Sequence, residues 1–247
     1  MKLIWEENFD YVGPPNPDKW EAQVGGHGWG NNELQYYTPS GNAWVDGTKL
    51  IIEARKEDME DKQVTSARIR TRGKGDWQYG RIEARAKLPK GLGVWPAIWM
   101  MPTIKEGQPH PGWPKCGEID IMEHVAYMKN TVHSTVHTGA YNHIKDTQRG
   151  GQLVLDELTE NYHVYAVNWQ QGQMVFTVDD AVIFTYNPFQ EGEVTEEEWP
   201  FDKPFHVIIN LAFGGNWGGA KGVDFNVLPA RLEVDYVRVY GEDNCDK

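Results

Sequence analysis

The sequence predicts an all-β fold built from two packed antiparallel sheets, in the manner of a jelly roll. Short runs of β-branched and aromatic residues alternate with polar residues along the whole chain, which is the period of a half-buried strand. Gly, Pro, Asn and Asp cluster between these runs, for example in residues 12–17, 73–76 and 213–216, as expected for turns and loops. Sustained helical periodicity is hard to find, so two sheets packed on each other are the simplest architecture.

The clearest alternating runs are expected to form strands in the order in which they occur. They are residues 49–55, 63–71, 79–88, 94–101, 117–125, 131–138, 162–169, 174–178, 181–186, 206–211 and 232–240. The chain has 247 residues, a length at which an all-β sandwich commonly folds as one unit. We therefore predict a single domain over residues 1–247, and we expect a monomer.

Charge and hydropathy exclude two classes of partner. The formal net charge is -12, and an acidic surface repels the phosphate backbone of nucleic acids. The apolar runs are far shorter than the roughly 20 residues that cross a bilayer as a helix. Residues 1–7 lack an apolar core segment, so no signal peptide is visible. We expect neither nucleic acid nor a membrane as a partner.

The chain contains 11 tryptophans and 11 tyrosines, more than a core of this size needs. About half of them fit the core by ordinary burial preferences. Trp29, Trp113 and Trp217, however, lie in glycine-rich stretches where burial is difficult. Flat aromatic rings next to amides suit the apolar faces of sugar rings. The sequence therefore indicates a carbohydrate-binding surface.

Residues 118–123, with the sequence EIDIME, gather three carboxylates in six positions. Glu118 and Asp120 share one face of a regular strand, whereas uninterrupted alternation would turn Glu123 into apolar packing. An unpaired buried carboxylate is very unfavourable. One extra residue, a β-bulge at Ile121 or Met122, would restore Glu123 to the acidic face. We predict such a bulge.

Three carboxylates on one face cannot all keep ordinary pKa values, because mutual repulsion raises at least one of them. That separation of acid from base suits glycosidic hydrolysis, in which retaining enzymes hold two carboxyl groups about 5 to 5.5 Å apart. Glu118 and Glu123 form the expected pair, with Asp120 hydrogen-bonded between them. The alternative is a solvent-facing strand with acids for solubility, which the break in alternation and the nearby tryptophans disfavour.

The same residues carry a family resemblance. Residues 118–123 resemble the signature of glycoside hydrolase family 16, and the additional Met resembles its laminarinase-like, endo-β-1,3-glucanase branch. Further stretches match in the family's order: residues 5–10 (WEENFD), 32–38 (NELQYYT), 79–85 (YGRIEAR), 93–100 (GVWPAIWM) and 234–240 (VDYVRVY). The resemblance implies two curved sheets with a concave substrate cleft, retaining hydrolysis without a catalytic cofactor, and the roles of nucleophile for Glu118, helper for Asp120 and general acid/base for Glu123.

The resemblance also implies substrate-binding residues. It places Trp95 and Trp99 along the cleft and gives Asn32 and Arg68 hydroxyl-binding positions on the non-reducing side. Trp113 and Trp217 would border the cleft from loops. Trp95 and Trp99 could instead belong to the core, and Arg68 could form an exposed basic face with Arg70 and Arg72.

His133 and His137 share a strand face at a spacing of four residues. On a strand this spacing is about 13 Å, too far for two ligands of one zinc ion. Zinc is therefore not expected. His137 resembles a family position near the acids, where an imidazole hydrogen-bonds to a carboxylate or a hydroxyl, although one of eight histidines could lie there by chance.

Many family members hold a structural calcium ion away from the cleft. The matching positions are the Asp235 carboxylate and the backbone oxygens of Glu7 and Gly47, and oxygen ligands suit calcium. A plain polar surface at Asp235 is the alternative. Cys116 and Cys245 are the only cysteines, too few for a disulfide scaffold. One bridge between them or two unpaired thiols are both open.

The leading functional prediction is an endo-acting, retaining hydrolase of β-1,3-glucans such as laminarin. Mixed-linkage β-1,3-1,4-glucan or an algal galactan would use the same acids and is the alternative within the family. A lectin-like module that binds glucan without cleaving it is the alternative from another class, but binding alone does not need the three acids. A polysaccharide substrate implies an extracellular location.

Overall fold

Two β-sheets pack face to face around a shared core. The computed structural model describes residues 1–190 and 192–241. The strands in these residues are β1 Lys2–Glu7, β2 Val12–Gly13, β3 Glu21–Ala22, β4 Gln35–Tyr37, β5 Ala43–Asp46, β6 Leu50–Met59, β7 Lys62–Ser66, β8 Arg68–Arg70, β9 Asp76–Trp77, β10 Gly80–Lys87, β11 Val94–Pro102, β12 Glu118–Glu123, β13 Thr131–His137, β14 Arg149–Val154, β15 His163–Gln170, β16 Gln173–Val178, β17 Ala181–Tyr186, β18 Phe205–Phe213 and β19 Ala230–Gly241. Short 3-10 helices cover Gly28–Gly30, Pro188–Gln190 and Phe225–Val227.

The larger sheet has 11 strands, with the central order β17-β16-β15-β10-β19-β6-β5-β2. The smaller sheet has 8 strands, in the order β14-β13-β12-β11-β18-β8-β3 with β9 beside β18. Neighbouring strands are antiparallel, except that β4 pairs with β7 in parallel. The predicted all-β sandwich is confirmed, with this one parallel pair as the difference. In the described residues no helix has the length and hydropathy to cross a membrane.

Each of the eleven predicted runs overlaps at least one observed strand. The run 63–71 divides at buried Ala67, because β7 joins the larger sheet and β8 joins the smaller one. The strands without a prediction are mostly two to six residues long, too short for a period of two to stand out: β1, β2, β3, β4, β5, β9 and β14.

The core lies between the inner faces of the two sheets. Ile82 and Val237 of the larger sheet and Ile98, Ile119 and Ile209 of the smaller one are at most 1% exposed and belong to one apolar cluster. Since side chains alternate along a strand, the opposite face of the smaller sheet is left to a different set of residues. That face carries the polar and aromatic side chains described below.

The predicted β-bulge is present in β12. Asp120 pairs with Thr135 and Glu123 pairs with His133, so Ile121 and Met122 together lie opposite Ser134 alone. Ile121 and Met122 are 1% and 0% exposed and pack in the core. The Ser134 hydroxyl donates to the Ile121 carbonyl at 2.8 Å, which gives that backbone oxygen a partner. The extra residue brings Glu123 to the face that carries Glu118 and Asp120.

The edge strand β14 contains Gly150 and Gly151, which lie close to neighbouring backbone. A Cβ at Gly150 would lie 2.6 Å from the carbonyl oxygen of Ser134. A Cβ at Gly151 would lie 2.6 Å from the carbonyl oxygen of Ile183 in β17. Any side chain here would force the strands apart.

Cys116 is fully buried next to the start of β12. Cys245 lies outside the described residues, so the pairing of the two thiols stays open as the sequence left it. Burial raises the pKa of Cys116 to about 11. This thiol is therefore protonated at neutral pH and is a poor nucleophile.

Candidate active site

A cleft of about 1190 Å³ lies on the outer face of the smaller sheet. The three acids of β12 line it, together with residues from the strands on both sides and from four connecting segments. The other lining residues are His27, Trp29, Gly30, Asn31, Glu33, Arg68, Trp95, Ala97, Trp99, Met101, Trp113, His133, Thr135, His137, His143, Ile144, Gln148, Gly150, Gly151, Gln152, Asn210, Ala212, Asn216 and Trp217.

Glu118 begins β12 and lies opposite His137 of β13. Trp113 donates from its indole Nε1 to Oε2 of Glu118 at 2.8 Å. Burial raises the pKa of Glu118 to about 7, while the bonds from Trp113 and Asp120 and the positive charge of Arg68 oppose that rise. Hydrogen bonds to the ionised form favour it, so these neighbours keep Glu118 available as a carboxylate.

Asp120 lies between the two glutamates and is 2% exposed. Burial raises its pKa well above the usual range, and the charges of Glu118 and Glu123 add to the rise. Asp120 also donates a hydrogen bond to Glu118, which lowers the pKa of Glu118 and raises that of Asp120. His137 Nε2 lies 3.4 Å from Asp120 Oδ2 and 3.9 Å from Glu118 Oε1.

Glu123 ends β12 and accepts a hydrogen bond of 3.1 Å from the Trp95 indole on β11. Burial raises its pKa to about 8, and the charge of Glu118 contributes in the same direction. Glu123 therefore holds a proton under conditions in which Glu118 can lose one. This ordering separates an acid from a base on the same strand.

Two indoles hold Arg68 at one end of the cleft. Its guanidinium lies 4.5 Å from the ring of Trp29 and 4.7 Å from the ring of Trp99, within the range of cation–π attraction. Arg68 Nε also donates to Gln23 at 2.7 Å. Arg68 and Trp99 are thus cleft residues, and neither the exposed basic face nor the core position holds for them.

Trp95, which bonds to Glu123, and Trp217 meet edge to face at 5.6 Å. His133 packs against Trp217 at 5.0 Å. The cleft thus contains all three loop tryptophans and both strand tryptophans that the sequence singled out. Burial lowers the pKa values of His133 and His137 to about 4, so both imidazoles are neutral at pH 7.

Asn32, for which the resemblance implies hydroxyl binding, lies at the rim of the cleft. Asn32 is exposed and is not among the lining residues, whereas its neighbour Asn31 is. The left-handed backbone at Asn32, with φ of 54°, lies in a loop where sequence alone does not fix which amide turns inward. Asn32 instead donates to the side chain of Asn216 at 2.9 Å and supports the rim.

Several lining residues were not predicted from the sequence. Glu33 is 5% exposed, and its oxygens accept from Gln35 at 2.6 Å and from Tyr37 at 3.2 Å. Asn210 accepts from the Trp99 indole at 2.7 Å. Residues 207–213 of β18 are apolar except for Asn210, and this exception was a usable signal for Asn210. Glu33 gave no such signal, because a carboxylate in a loop is ordinarily exposed.

The predicted calcium ligands lie away from the cleft lining. Glu7 ends β1, Gly47 follows β5, and Asp235 is on β19. Arg85 Nη1 donates to Asp235 Oδ2 at 2.5 Å, so a cation here would share this carboxylate with an arginine. Oxygen donors suit calcium, and the site stays a prediction.

Glu118, Asp120 and His137 offer ligand atoms within 4.8 Å of one another. That spacing alone is compatible with a metal ion. The hydrogen bonds that Glu118 accepts from Trp113 and Asp120 already account for the arrangement of the two acids.

Comparisons with known proteins agree with this geometry. Residues 31–238 match the family model described as Glycosyl hydrolases family 16. "Beta-glucanase" of Rhodothermus marinus is 51% identical over 243 residues, covering 97% of this chain and 85% of the relative.

Two solved structures extend the likeness to three dimensions. The laminarinase from Rhodothermus marinus has a TM-score of 0.93 at 51% identity, covering 97% of this chain and 96% of the other. SCLam, described as a non-specific endo-beta-1,3(4)-glucanase, has a TM-score of 0.89 at 42% identity, covering 97% and 91%. The chain belongs to glycosyl hydrolase family 16.

Proposed function

We propose that this protein is an endo-acting, retaining hydrolase of β-1,3-glucosidic bonds in laminarin-type glucans. The observation that carries the proposal is the bulged strand β12, which turns Glu118 and Glu123 into one cleft with Asp120 between them. Its relatives named laminarinase and beta-glucanase support the substrate class.

The proposed first step uses Glu118 as nucleophile and Glu123 as general acid. A carboxylate oxygen of Glu118 attacks the anomeric carbon, while Glu123 gives its proton to the departing glycosidic oxygen. The bond from carbon to the leaving oxygen breaks, and a glycosyl ester on Glu118 forms. The hydrogen bonds from Trp113 and Asp120 stabilise the ionised Glu118 before attack.

In the second step Glu123, now ionised, takes a proton from water as the water attacks the same carbon. The ester bond breaks, Glu118 leaves as a carboxylate, and the two inversions return the β-configuration. All transfers are between the two glutamates, water and the sugar, so no catalytic cofactor is required.

The position of β12 in the sheet supports cleavage within a chain. Lining residues continue over β11, β18 and β8 on one side and over β13 and β14 on the other. At about 4.8 Å per strand, the cleft extends roughly 14 Å and 10 Å from the acids. A polymer can therefore occupy both sides of the scissile bond.

The charges in the cleft favour a neutral polysaccharide. Among the described lining residues, Arg68 is the one Lys or Arg, facing four carboxyl groups: Glu33, Glu118, Asp120 and Glu123. Sulfated galactans would meet net negative charge here. Mixed-linkage glucan remains the second candidate, because the similar SCLam is described as non-specific for β-1,3(4)-glucan.

The test is incubation with laminarin, mixed-linkage glucan and agarose, with reducing ends measured over time. We expect release from laminarin first, and proton NMR should show the β-anomer of the new end. If no reducing ends are released from any of the three polysaccharides, a binding module would be favoured. An initial α-anomer would exclude double displacement.

Three further expectations belong to the same proposal. Asp235 and the carbonyl oxygens of Glu7 and Gly47 would hold a structural calcium ion, whose role is stability. The protein would act outside the cell, where glucan polymers are accessible. It would work as a monomer, since one chain supplies both catalytic glutamates.

A further inference from the structure

Tyr37 lies beneath the end of the cleft that holds Arg68. It contacts Trp29 directly and Trp99 through Asn210. It is fully buried. Its ring lies 5.2 Å from the ring of Trp29, and its hydroxyl accepts a 3.0 Å hydrogen bond from Asn210. Asn210 in turn accepts from the Trp99 indole at 2.7 Å. Trp29, Arg68 and Trp99 are called the Arg68 stack below.

A one-directional chain of hydrogen bonds connects Trp99 to a carboxylate. The Trp99 indole donates to Asn210, the Asn210 amide donates to Tyr37, and the Tyr37 hydroxyl donates to Glu33 at 3.2 Å. Burial raises the pKa of Tyr37 well above its usual range, so the hydroxyl keeps its proton. Chains of this kind strengthen when they end on a charge.

Glu33 is fixed at the other end by three donors. Oε2 accepts from Gln35 and Tyr37, and Oε1 accepts from Asn31 at 3.3 Å. None of these hydrogen bonds involves Glu118 or Glu123, although the charge of Glu33 adds to the rise in the pKa of Glu123. The negative charge of Glu33 also faces the positive charge of Arg68. The carboxylate therefore supports the stack both through bonds and through charge.

We infer that Glu33 and Tyr37 are positioning residues that hold the Arg68 stack ready for the part of the glucan that occupies this end of the cleft. The inference deepens the proposed function, on which it rests, by assigning part of the binding energy to groups buried under the cleft. A preorganised stack loses little rotamer freedom when sugar binds. Loss of this chain of hydrogen bonds should thus weaken glucan binding and leave the rate of bond cleavage nearly unchanged.

The variants Glu33→Gln and Tyr37→Phe keep the shape of each side chain. Each interrupts the hydrogen-bond chain from Trp99 to Glu33 at a different bond. Binding of laminaritriose is measured by calorimetry in the inactive Glu118→Gln background, and KM and kcat on laminarin are measured in the active chain. Each variant should raise Kd and KM about three- to tenfold, the equivalent of one hydrogen bond, with kcat within about twofold when each variant is measured at its own pH optimum.

The double variant should be no weaker than about the worse single one, because both changes break one chain. Glu53→Gln is the matched control: Glu53 is also 5% exposed but pairs with Arg55 and Arg231 on the larger sheet. It should lower the melting temperature without changing Kd.

Unchanged Kd in both single variants would overturn the positioning role, as would a fall in kcat without any change in Kd. Equal effects of Glu53→Gln on Kd would also overturn it, because the response would then be general destabilisation. If the active chain cleaves no glucan while laminaritriose binding still weakens in both variants, the proposed reaction fails and the positioning role stands.

Discussion

The indole of Trp113 donates a 2.8 Å hydrogen bond to the carboxyl group of Glu118, which also accepts a hydrogen bond from Asp120. Two donors on one carboxylate favour its ionised form, and they offset part of the effect of burial. Glu123 has one such donor, Trp95. The glutamate with more hydrogen-bond donors has the lower pKa: about 7 for Glu118 and about 8 for Glu123.

The profile of kcat/KM against pH should accordingly be bell-shaped. Activity rises as Glu118 loses its proton near pH 7 and falls as Glu123 loses its proton near pH 8. Trp113→Phe removes a bond that lowers the pKa of Glu118, so the rising limb should move to higher pH. The falling limb should stay in place. Movement of the falling limb alone would assign the roles the other way round.

Glu118→Gln and Glu123→Gln should each reduce hydrolysis of laminarin by at least about a thousandfold. The two losses differ in kind, because a leaving group that departs as an anion needs no proton. An activated aryl β-glucoside should therefore form the glycosyl ester in Glu123→Gln but not in Glu118→Gln. Circular dichroism would check the fold of both. Near-normal turnover of laminarin in either variant would reject its assigned role.

Deletion of Met122 should return Glu123 to the phase of an ordinary strand and point it into the core. We expect complete loss of activity and a loss of stability of about 3 kcal/mol or more, since a buried methionine is lost and a carboxylate takes its place. Met122→Leu keeps the residue count and nearly the volume, and should stay active. An active deletion variant would show that the bulge is not what orients Glu123.

Glu123→Gln should be more stable than the native chain at alkaline pH. The folded-state pKa of Glu123 is raised, so its contribution is full below the unfolded value near pH 4.5 and is lost as pH rises through about 8. Gln does not titrate and escapes this loss. The melting temperature should exceed the native value by about 2 °C or more at pH 9 and match it near pH 4. A constant difference at all pH values would contradict this linkage.

Chelation of calcium should lower the melting temperature without removing activity. For calcium at about a hundred times its Kd the stabilisation is about 2.7 kcal/mol, which corresponds to about 5 to 10 °C in a chain of this size. Asp235→Asn should abolish the response to chelator. Asp180→Asn is the control, because Asp180 pairs with Arg81, another arginine of β10. This variant should keep the response to chelator. An unchanged melting temperature in excess chelator would reject the proposed structural calcium ion.

The bulge in β12 could be predicted from the sequence because the spacing of its acids departs from the two-residue alternation of a regular strand. Acids at 118, 120 and 123 cannot share a face without an extra residue, and the pairing of β12 shows that residue. Alternation predicts only that Trp95 and Trp99, four positions apart on β11, face the same side, and the family resemblance assigned that side to the cleft. Where period and burial constrain a residue together, prediction succeeds.

The rest depends on loops and on burial that the sequence does not encode locally. Whether Asn31 or Asn32 enters the cleft follows from one positive φ angle. Glu33 is buried only because Asn31, Gln35 and Tyr37 surround it with donors. Such networks are defined by contacts that form after folding, and alternation carries no trace of them.

Gly150 and Gly151 line one end of the cleft, and neither has space for even a methyl group. This boundary is made of backbone, and a backbone wall cannot be enlarged or trimmed by exchanging side chains. Adaptation to branched or substituted glucans would therefore have to occur in the neighbouring loop that carries His143 and Ile144. Directed-evolution libraries aimed at substrate range belong in that loop, and those that randomise the two glycines would mostly return misfolded protein.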